Sequence, residues 1–485
     1  MVLWVTDYVR DPLRDVPGPG PARYTRLWYL RKIKGGNFHH ENIDLHRKNV
    51  PHHQDKIVRI APNMYSIDDL DAAKIIYGHG TKFTKSDWYS TWTVPAITPV
   101  NLFAIQDPKM HAASRRQFAS YYSMSTMVSY EAYVDECIRT FHAILEKCSG
   151  EKKRMNMGVW LQYYAFDVIG NITFGKSFRF LEGAKDINDM MAKLDQANLY
   201  SALAGLFPWI HDLVIRLAES PAQVMNDYIV GVISERKNKL AKGELPPSDN
   251  RGTQDFLGKY LATHARDPNV FTPTHILFGS SQNVFAGSDT TAISLSSIVY
   301  HLSFNPDCLA KLRDEIDNAA SEGRISDLIT FAESQSLPYL QAVIKESLRI
   351  NSAVGLPLWR VVPSGGAMLC GRFFPEGTVV GINPWVAHHN KSIFGADADE
   401  FRPERWLDEG RDKDTSTMER YYMPFGLGSR TCIGKNISLL EVGKLIPQLV
   451  RYFDFDLERK QDRLVGENHW FVKPKGFEAM PRKLV

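Results

Sequence analysis

Five cysteines in 485 residues, Cys137, Cys148, Cys308, Cys370 and Cys432, are too few and too scattered for a disulfide framework. No C-x-x-C pair and no Cys/His zinc spacing occurs. An odd number of widely spaced thiols reads as free, mostly buried side chains in a reducing environment. Also missing is any run of about 18 apolar residues, so no complete transmembrane helix is encoded. The start, MVLWVTDYVRDPLRDVPGPGPARYTRLW, is too charged to span a bilayer and lacks the basic region and long apolar stretch of a secretory signal. A formal net charge of +3 offers no bulk attraction for a nucleic-acid partner. No internal repeat and no flavin- or dinucleotide-binding motif is visible.

What is present is globular: 44% hydrophobic and 23% charged residues, in a chain long enough for a large core. Length alone suggests about three domains, but the order of elements argues against it. KIVRIAPNMYSIDD reads as a strand pair around Ile57 to Ile67. Helical patterns then dominate, at Val128 to Leu145, Leu161 to Ile172, Pro221 to Leu240, Pro273 to Leu302, Pro306 to Ala319, Pro338 to Ile350 and Ile433 to Phe453. Short strands return only late, in RVVPSGGAMLCGRFFPEGTVVGIN. One mainly α body with small β-sheets fits this order. Residues 1–21 read as a leader ending in a Pro/Gly hinge (PGPGP, Pro17 to Pro21), which an upstream anchor or a soluble protein would both accommodate. Residues 22–485 read as a single domain. AKGELPPSDNRGTQ, Ala241 to Gln254, reads as a polar surface loop.

The stretch FGLGSRTCIGKNIS places Cys432 in a glycine-rich turn ahead of a helical pattern. Unpaired amide N–H groups and the helix dipole at that position favour a thiolate, suited either to nucleophilic attack or to holding a soft metal. Phe425, Gly426, Gly428, Arg430, Cys432 and Gly434 together closely resemble the haem-binding signature of the cytochrome P-450 family, in particular its fungal microsomal members. The resemblance runs from about Arg14 to Lys475. It implies that Cys432 is the proximal thiolate ligand of haem iron, that Phe425 and Gly426 line the cofactor beside it, and that Arg430 pairs with a haem propionate.

Further segments follow in the family's order. Glu346 and Arg349 in QAVIKESLRI share a helix face, and by themselves read as an ordinary salt bridge. With Arg405 in FRPERW they resemble the family's buried charge network, a structural role. Gly287, Asp289, Thr290 and Thr291 form a polar knot in the apolar helix NVFAGSDTTAISLSSIVYHL, where hydroxyls can bond preceding carbonyls and bend the helix. Ala286 to Thr291 resembles the family's distal element, which implies that Asp289 and Thr290 guide protons to bound dioxygen. His111 and Arg115 in DPKMHAASRRQF, and Arg360 in LPLWRVVP, resemble the family's propionate partners; here His stands where many members have Trp. HRKNVPHHQDKIVRIAPN departs from the family's shorter HRKYGPIVRIAPN, which puts in question only the loop before the first strand.

The resemblance implies the cytochrome P-450 fold, with haem b between a long distal helix and the helix after the cysteine loop. It implies a monooxygenase acting on a small apolar, aromatic or polycyclic organic substrate in fungal secondary metabolism. Electrons would come from NADPH through a separate flavoprotein reductase, with Arg116 and Lys435 as candidates for its docking face. Trp88, Tyr89, Trp92 and Trp470 are expected to form an aromatic mouth. Asn283, Phe285, Ala286 and Leu356 complete the expected substrate pocket, with Asn283 able to hydrogen-bond a substrate. The full-length protein is expected as a monomer on the cytoplasmic face of the endoplasmic reticulum. Alternatives are a peroxide-using haem-thiolate enzyme, one catalysing coupling or rearrangement without oxygen insertion, a non-catalytic haem sensor, and a cysteine hydrolase.

Overall fold

The computed structural model describes residues 11–49, 56–93, 100–217, 223–244, 254–407, 415–458 and 464–484. Most of residues 241–254, the loop insertion at 50–55, part of the expected aromatic loop at 94–99 and the first ten residues of the leader lie outside them.

Seven helices position the site: α1 (Pro108–Ala119), α2 (Glu131–Gly150), α3 (Met157–Phe174), α4 (Met190–Ala204), α5 (Pro273–Phe304), α6 (Pro338–Ile350) and α7 (Lys435–Tyr452). Each begins for a local reason. Asp107 caps α1 by accepting from Met110 N at 2.7 Å, and Pro108 supplies a preset φ at its first position. Thr272 and His275 form a capping box at the start of α5. α3 is apolar on nearly every side, which fits only a helix buried all round. It packs along α5, and α5 in turn packs against α6 and α7, so the centre of the molecule is a helical layer.

The strands are short. β1 (Ile57–Ala61), β2 (Met64–Ile67), β3 (Thr84–Lys85), β5 (Arg360–Val361) and β8 (Val379–Gly381) form one sheet in the order β1-β2-β8-β5-β3. β4 (Met155–Asn156), β9 (Phe453–Leu457) and β12 (Glu478–Lys483) form a second sheet. β6 (Ala367–Leu369) with β7 (Arg372–Phe374), and β10 (Gly466–Asn468) with β11 (Val472–Pro474), are hairpins. The mainly helical body with small sheets matches the expected class.

Over its described part the Pro/Gly segment and the residues before it are tied to β1. Leu13 and Val16 are buried, Arg59 N donates to Pro17 O at 2.8 Å, and the buried Arg59 guanidinium donates to Leu13 O and pairs with Asp11 at 2.8 Å. Arg59, an inward-facing charge in β1, needs those acceptors, and the segment supplies them.

Candidate active site

The cysteine turn is held by its own backbone and by the first sheet. Cys432 N donates to Phe425 O at 2.8 Å. Gly426 and Gly428 have φ of +72° and +60°. A Cβ on Gly428 would stand 1.9 Å from Tyr77 O, so only glycine fits there. α7 begins at Lys435, three residues after the cysteine. The N–H groups of Gly434 and Lys435 reach the sulfur, as the helix start suggests. They lower the thiol as expected, but burial outweighs them. Burial pushes Cys432 up, and those N–H groups with Arg115 offset this only in part. A thiolate here therefore needs a bound metal, which deprotonates a coordinating thiol outright. The sulfur is sterically open although protein surrounds the turn, which is the geometry of a residue in a chamber wall.

Beside the sulfur, five basic side chains converge. Arg115 Nη1 donates to Thr431 O at 2.7 Å, tying α1 to the cysteine turn. Arg430 donates to Ile105 O at 2.6 Å and Gln106 O at 2.9 Å. Arg360 donates to Trp359 O at 2.8 Å. His111 is buried, and burial followed by the fields of Arg430, Lys85, Arg115 and Arg360 lowers it to about 3. Arg430 is lowered to about 10, first by burial and next by Arg360. Lys85, which the sequence reading did not single out, is buried at the end of β3 and held well below its ordinary range by burial, Arg360, Arg430 and Arg115. Its Nζ donates to Phe103 O at 2.5 Å and sits 4.5 Å from the Tyr89 ring centroid. Such crowding of cations is unfavourable without an anion. The two propionates of haem are an anion of the right charge, and the open sulfur is a fitting axial ligand, so the donor set fits that group.

The distal segment lies in α5. Ala286 is exposed and Thr290 partly exposed in the middle of a helix otherwise largely buried, an opening inside the body. Thr290 Oγ1 donates to Ala286 O at 2.7 Å, and Ser288 and Ser294 bond back to carbonyls four residues earlier in the same way. Asp289 is buried and accepts from Gln162 Nε2 at 2.5 Å.

The charge network beneath the turn is fully formed. Arg349 binds Glu346 through two N–H groups at 2.8 and 2.9 Å, and Arg405 Nε reaches the same carboxylate at 2.8 Å. Trp406 Nε1 and Arg402 N donate to it as well, both at 2.9 Å. Arg349 also donates to His388 O, and His388 Nε2 accepts from Met423 N at 2.8 Å. The network thus reaches the cysteine segment through His388. Neither Trp406 nor His388 was singled out in the sequence, though Trp406 closes the FRPERW motif.

The aromatic residues gather as expected, but most are packed rather than open. Trp88 lies 5.2 Å from Trp92 and 4.8 Å from Trp470, ring to ring, and Trp88 and Trp470 are each 2% exposed. Trp88 Nε1 donates to Ala202 O at 3.1 Å. Leu356 is buried in the same cluster, and Phe285 packs on the main core. Asn283, expected to hydrogen-bond a substrate, is buried: its oxygen accepts from Tyr122 OH at 2.5 Å and its nitrogen donates to Thr173 at 3.1 Å. Both ends of its amide are engaged between helices. Arg116 and Lys435 are not part of the cation cluster, and the Lys435 Nζ lies 5.7 Å from the Phe425 ring centroid.

A family model described as cytochrome P450 matches residues 17–479. The chain is 42% identical over 474 residues to a pisatin demethylase of Fusarium vanettenii, covering 96% of this chain and 90% of that protein. It is 38% identical over 471 residues to a cytochrome P450 monooxygenase of Aspergillus terreus, covering 93% and 92%. It is 34% identical over 505 residues to the cytochrome P450 monooxygenase mpaDE of Penicillium roqueforti, covering all of this chain and 57% of that longer protein.

Proposed function

The chain belongs to the cytochrome P450 family and is a monooxygenase, and from that premise we propose that it oxidises a small apolar substrate carrying aromatic rings. The observation that carries this reading is the open sulfur of Cys432 beside a cluster of buried cations, with an aromatic cluster close by. Thiolate-bound haem iron, when present, supplies the dioxygen activation and C–H oxidation.

The chain's own residues do the rest. Cys432 would hold the iron. Lys85, His111, Arg115, Arg360 and Arg430 would hold the propionates through charge-assisted hydrogen bonds. Glu346, Arg349 and Arg405 keep the cysteine segment in place. Thr290 presents its hydroxyl at the opening in α5, and Asp289 next to it supplies the proton that Thr290 passes on. The mutually tilted, closely packed rings of Trp88, Trp92 and Trp470 exclude water and favour an apolar partner. Electrons come from NADPH through a separate flavoprotein reductase, on the cytoplasmic face of the endoplasmic reticulum, and the product belongs to secondary metabolism. The pisatin demethylase relative makes methyl-bearing aromatic compounds the first to screen.

The reduced carbon monoxide complex should show the strongly red-shifted Soret band of thiolate ligation, and Cys432→Ala should lose it. A band unchanged in that variant would remove Cys432 from the role. Thr290→Ala should lower the product formed per reductant consumed by about ten-fold or more, within the range of general acid–base contributions. Unchanged coupling would remove Thr290.

A further inference from the structure

Tyr122 ends the short turn that follows α1, and its backbone and its ring reach two different walls of the site. Its carbonyl accepts from Asn436 Nδ2 at 2.9 Å, in the first turn of α7 and four residues after Cys432. Its hydroxyl donates to Asn283 Oδ1 on α5 at 2.5 Å, and Asn283 Nδ2 donates in turn to Thr173 on α3 at 3.1 Å. Arg115 of α1 already holds Thr431 O, one residue before the sulfur. The segment from Arg115 to Tyr122 therefore grips the cysteine segment on both sides of Cys432, and it grips α5 with the same tyrosine.

The sequence prepares this contact. Gly279 lies one turn before Asn283 on α5, and a Cβ there would stand 2.8 Å from the Tyr260 ring and 2.9 Å from the Phe118 ring. With no side chain at that position the end of α1 comes close to α5, and Phe118 lies 5.6 Å from Phe278, ring to ring. Tyr122 and Asn283 are 7% and 4% exposed and Thr173 is fully buried, so water does not compete for their bonds. Burial raises the Tyr122 phenol, with Cys432 near enough to be among the lesser causes, so the hydroxyl keeps its proton and remains a donor. Ala286 and Thr290, which open onto the interior, lie three and seven residues after Asn283 on the same face of α5. The bonded amide and the open stripe are thus parts of one helix face.

We propose that Tyr122 is a positioning residue that sets the spacing between two walls of the chamber: it clasps α7 through its carbonyl and α5 through its hydroxyl, and so holds the Ala286–Thr290 stripe at a fixed height over the Cys432 sulfur. The proposal rests on the haem reading given above, since that height is the room haem and a gas bound to it would have. Removing the hydroxyl leaves the Asn283 oxygen buried without this donor, which costs more than the net worth of the bond.

The test uses the enzyme in its haem-free and haem-loaded forms. Tyr122→Phe removes the hydroxyl and keeps the ring and the Asn436 bond. In the haem-free protein, hydrogen exchange of the α5 amides around Asn283 should quicken by about two- to ten-fold, the effect of one net hydrogen bond, while exchange at the far end of α7 stays native. In the loaded enzyme the reduced carbon monoxide complex should keep its red-shifted Soret band, because Cys432 is untouched. Its C–O stretching frequency should shift or broaden, because that frequency reads the wall facing the gas. Asn283→Ala should give the same change, and the double variant should add nothing to it, since both cut one bond. Tyr452→Phe removes a hydroxyl bonded to Asp327 at 2.6 Å at the far end of α7, and should leave the stretch native. Should Tyr122→Phe fail to fold, Asn436→Ala opens the other arm of the clasp at a half-buried position and should also move the stretch. Native α5 exchange and a native stretch in Tyr122→Phe overturn the clasp. Faster exchange with a native stretch overturns its hold on the chamber. An equal shift in Tyr452→Phe overturns it too, because general loosening would then account for the signal. Absence of haem or of the Soret band from the native enzyme overturns the haem reading instead.

Discussion

Lys85 shows how a single residue can report the chemistry of what its site binds. A lysine buried among three arginines and a histidine is out of place in an apolar interior, and its pKa is driven well below the ordinary range by burial and by Arg360, Arg430 and Arg115. One carbonyl and two aromatic rings soften the cost without supplying a countercharge. Replacing such a buried charge without a countercharge by a similarly shaped apolar residue removes its desolvation cost. Lys85→Met should therefore leave the stability of the haem-free protein equal or higher in urea unfolding. The same change should weaken haem binding by about ten-fold, or about 1.4 kcal/mol, through the loss of one charge-assisted bond. Haem titration of the apoprotein checks it, and an unchanged affinity would remove Lys85 from the propionate set.

Among the elements, α6 carries the charge network and the fold depends on it most directly. Burial works to raise the Glu346 carboxyl, but Arg349 and Arg405 override it and hold it at about 2, below its ordinary 4.5. A folded-state value below the unfolded one gives stability that is complete above about pH 4.5 and is lost as pH falls towards 2. The difference corresponds to roughly 3 kcal/mol. Glu346→Gln should cost about 3–5 kcal/mol at neutral pH, because two buried guanidinium groups lose their countercharge. It should also flatten the loss of stability between pH 4.5 and pH 2. Unfolding midpoints at pH 7 and 3.5 measure both, and equal acid sensitivity in the two proteins would place its origin elsewhere.

The helices that carry these groups were largely legible, because apolar periodicity and caps specify them locally: α6 runs over the expected Pro338 to Ile350, and α5 exceeds its expected end by two residues. The cysteine turn and the charge triad were legible as motifs. Lys85, Gln162 and His388 were not, since each acts through partners distant in the chain that only the fold brings near. The partners of Asn283 were hidden for the same reason: its position on α5 was clear, but Tyr122 and Thr173, which bond its amide, lie far away in the chain.

Over the whole molecule, a formal charge of only +3 conceals an uneven distribution. Lys85, Arg115, Arg360 and Arg430 concentrate positive charge around one chamber, and their mutual fields are among the causes that lower Lys85 and Arg430. Self-repulsion of this kind opposes the folded state, and an anion bound only by that state relieves it. Added salt should therefore raise the thermal midpoint of the haem-free protein by screening and by anion entry. If the propionates balance the cluster in the haem-loaded protein, as proposed, the same salt should have less effect there. Comparing the two forms in 0.05 M and 0.5 M sodium chloride, concentrations chosen to take the screening length from about 14 Å to about 4 Å, should give the larger rise in the haem-free form. An equal rise in both would mean that the cations are balanced by protein groups alone, and the propionate assignment of the cluster would then lose its electrostatic basis.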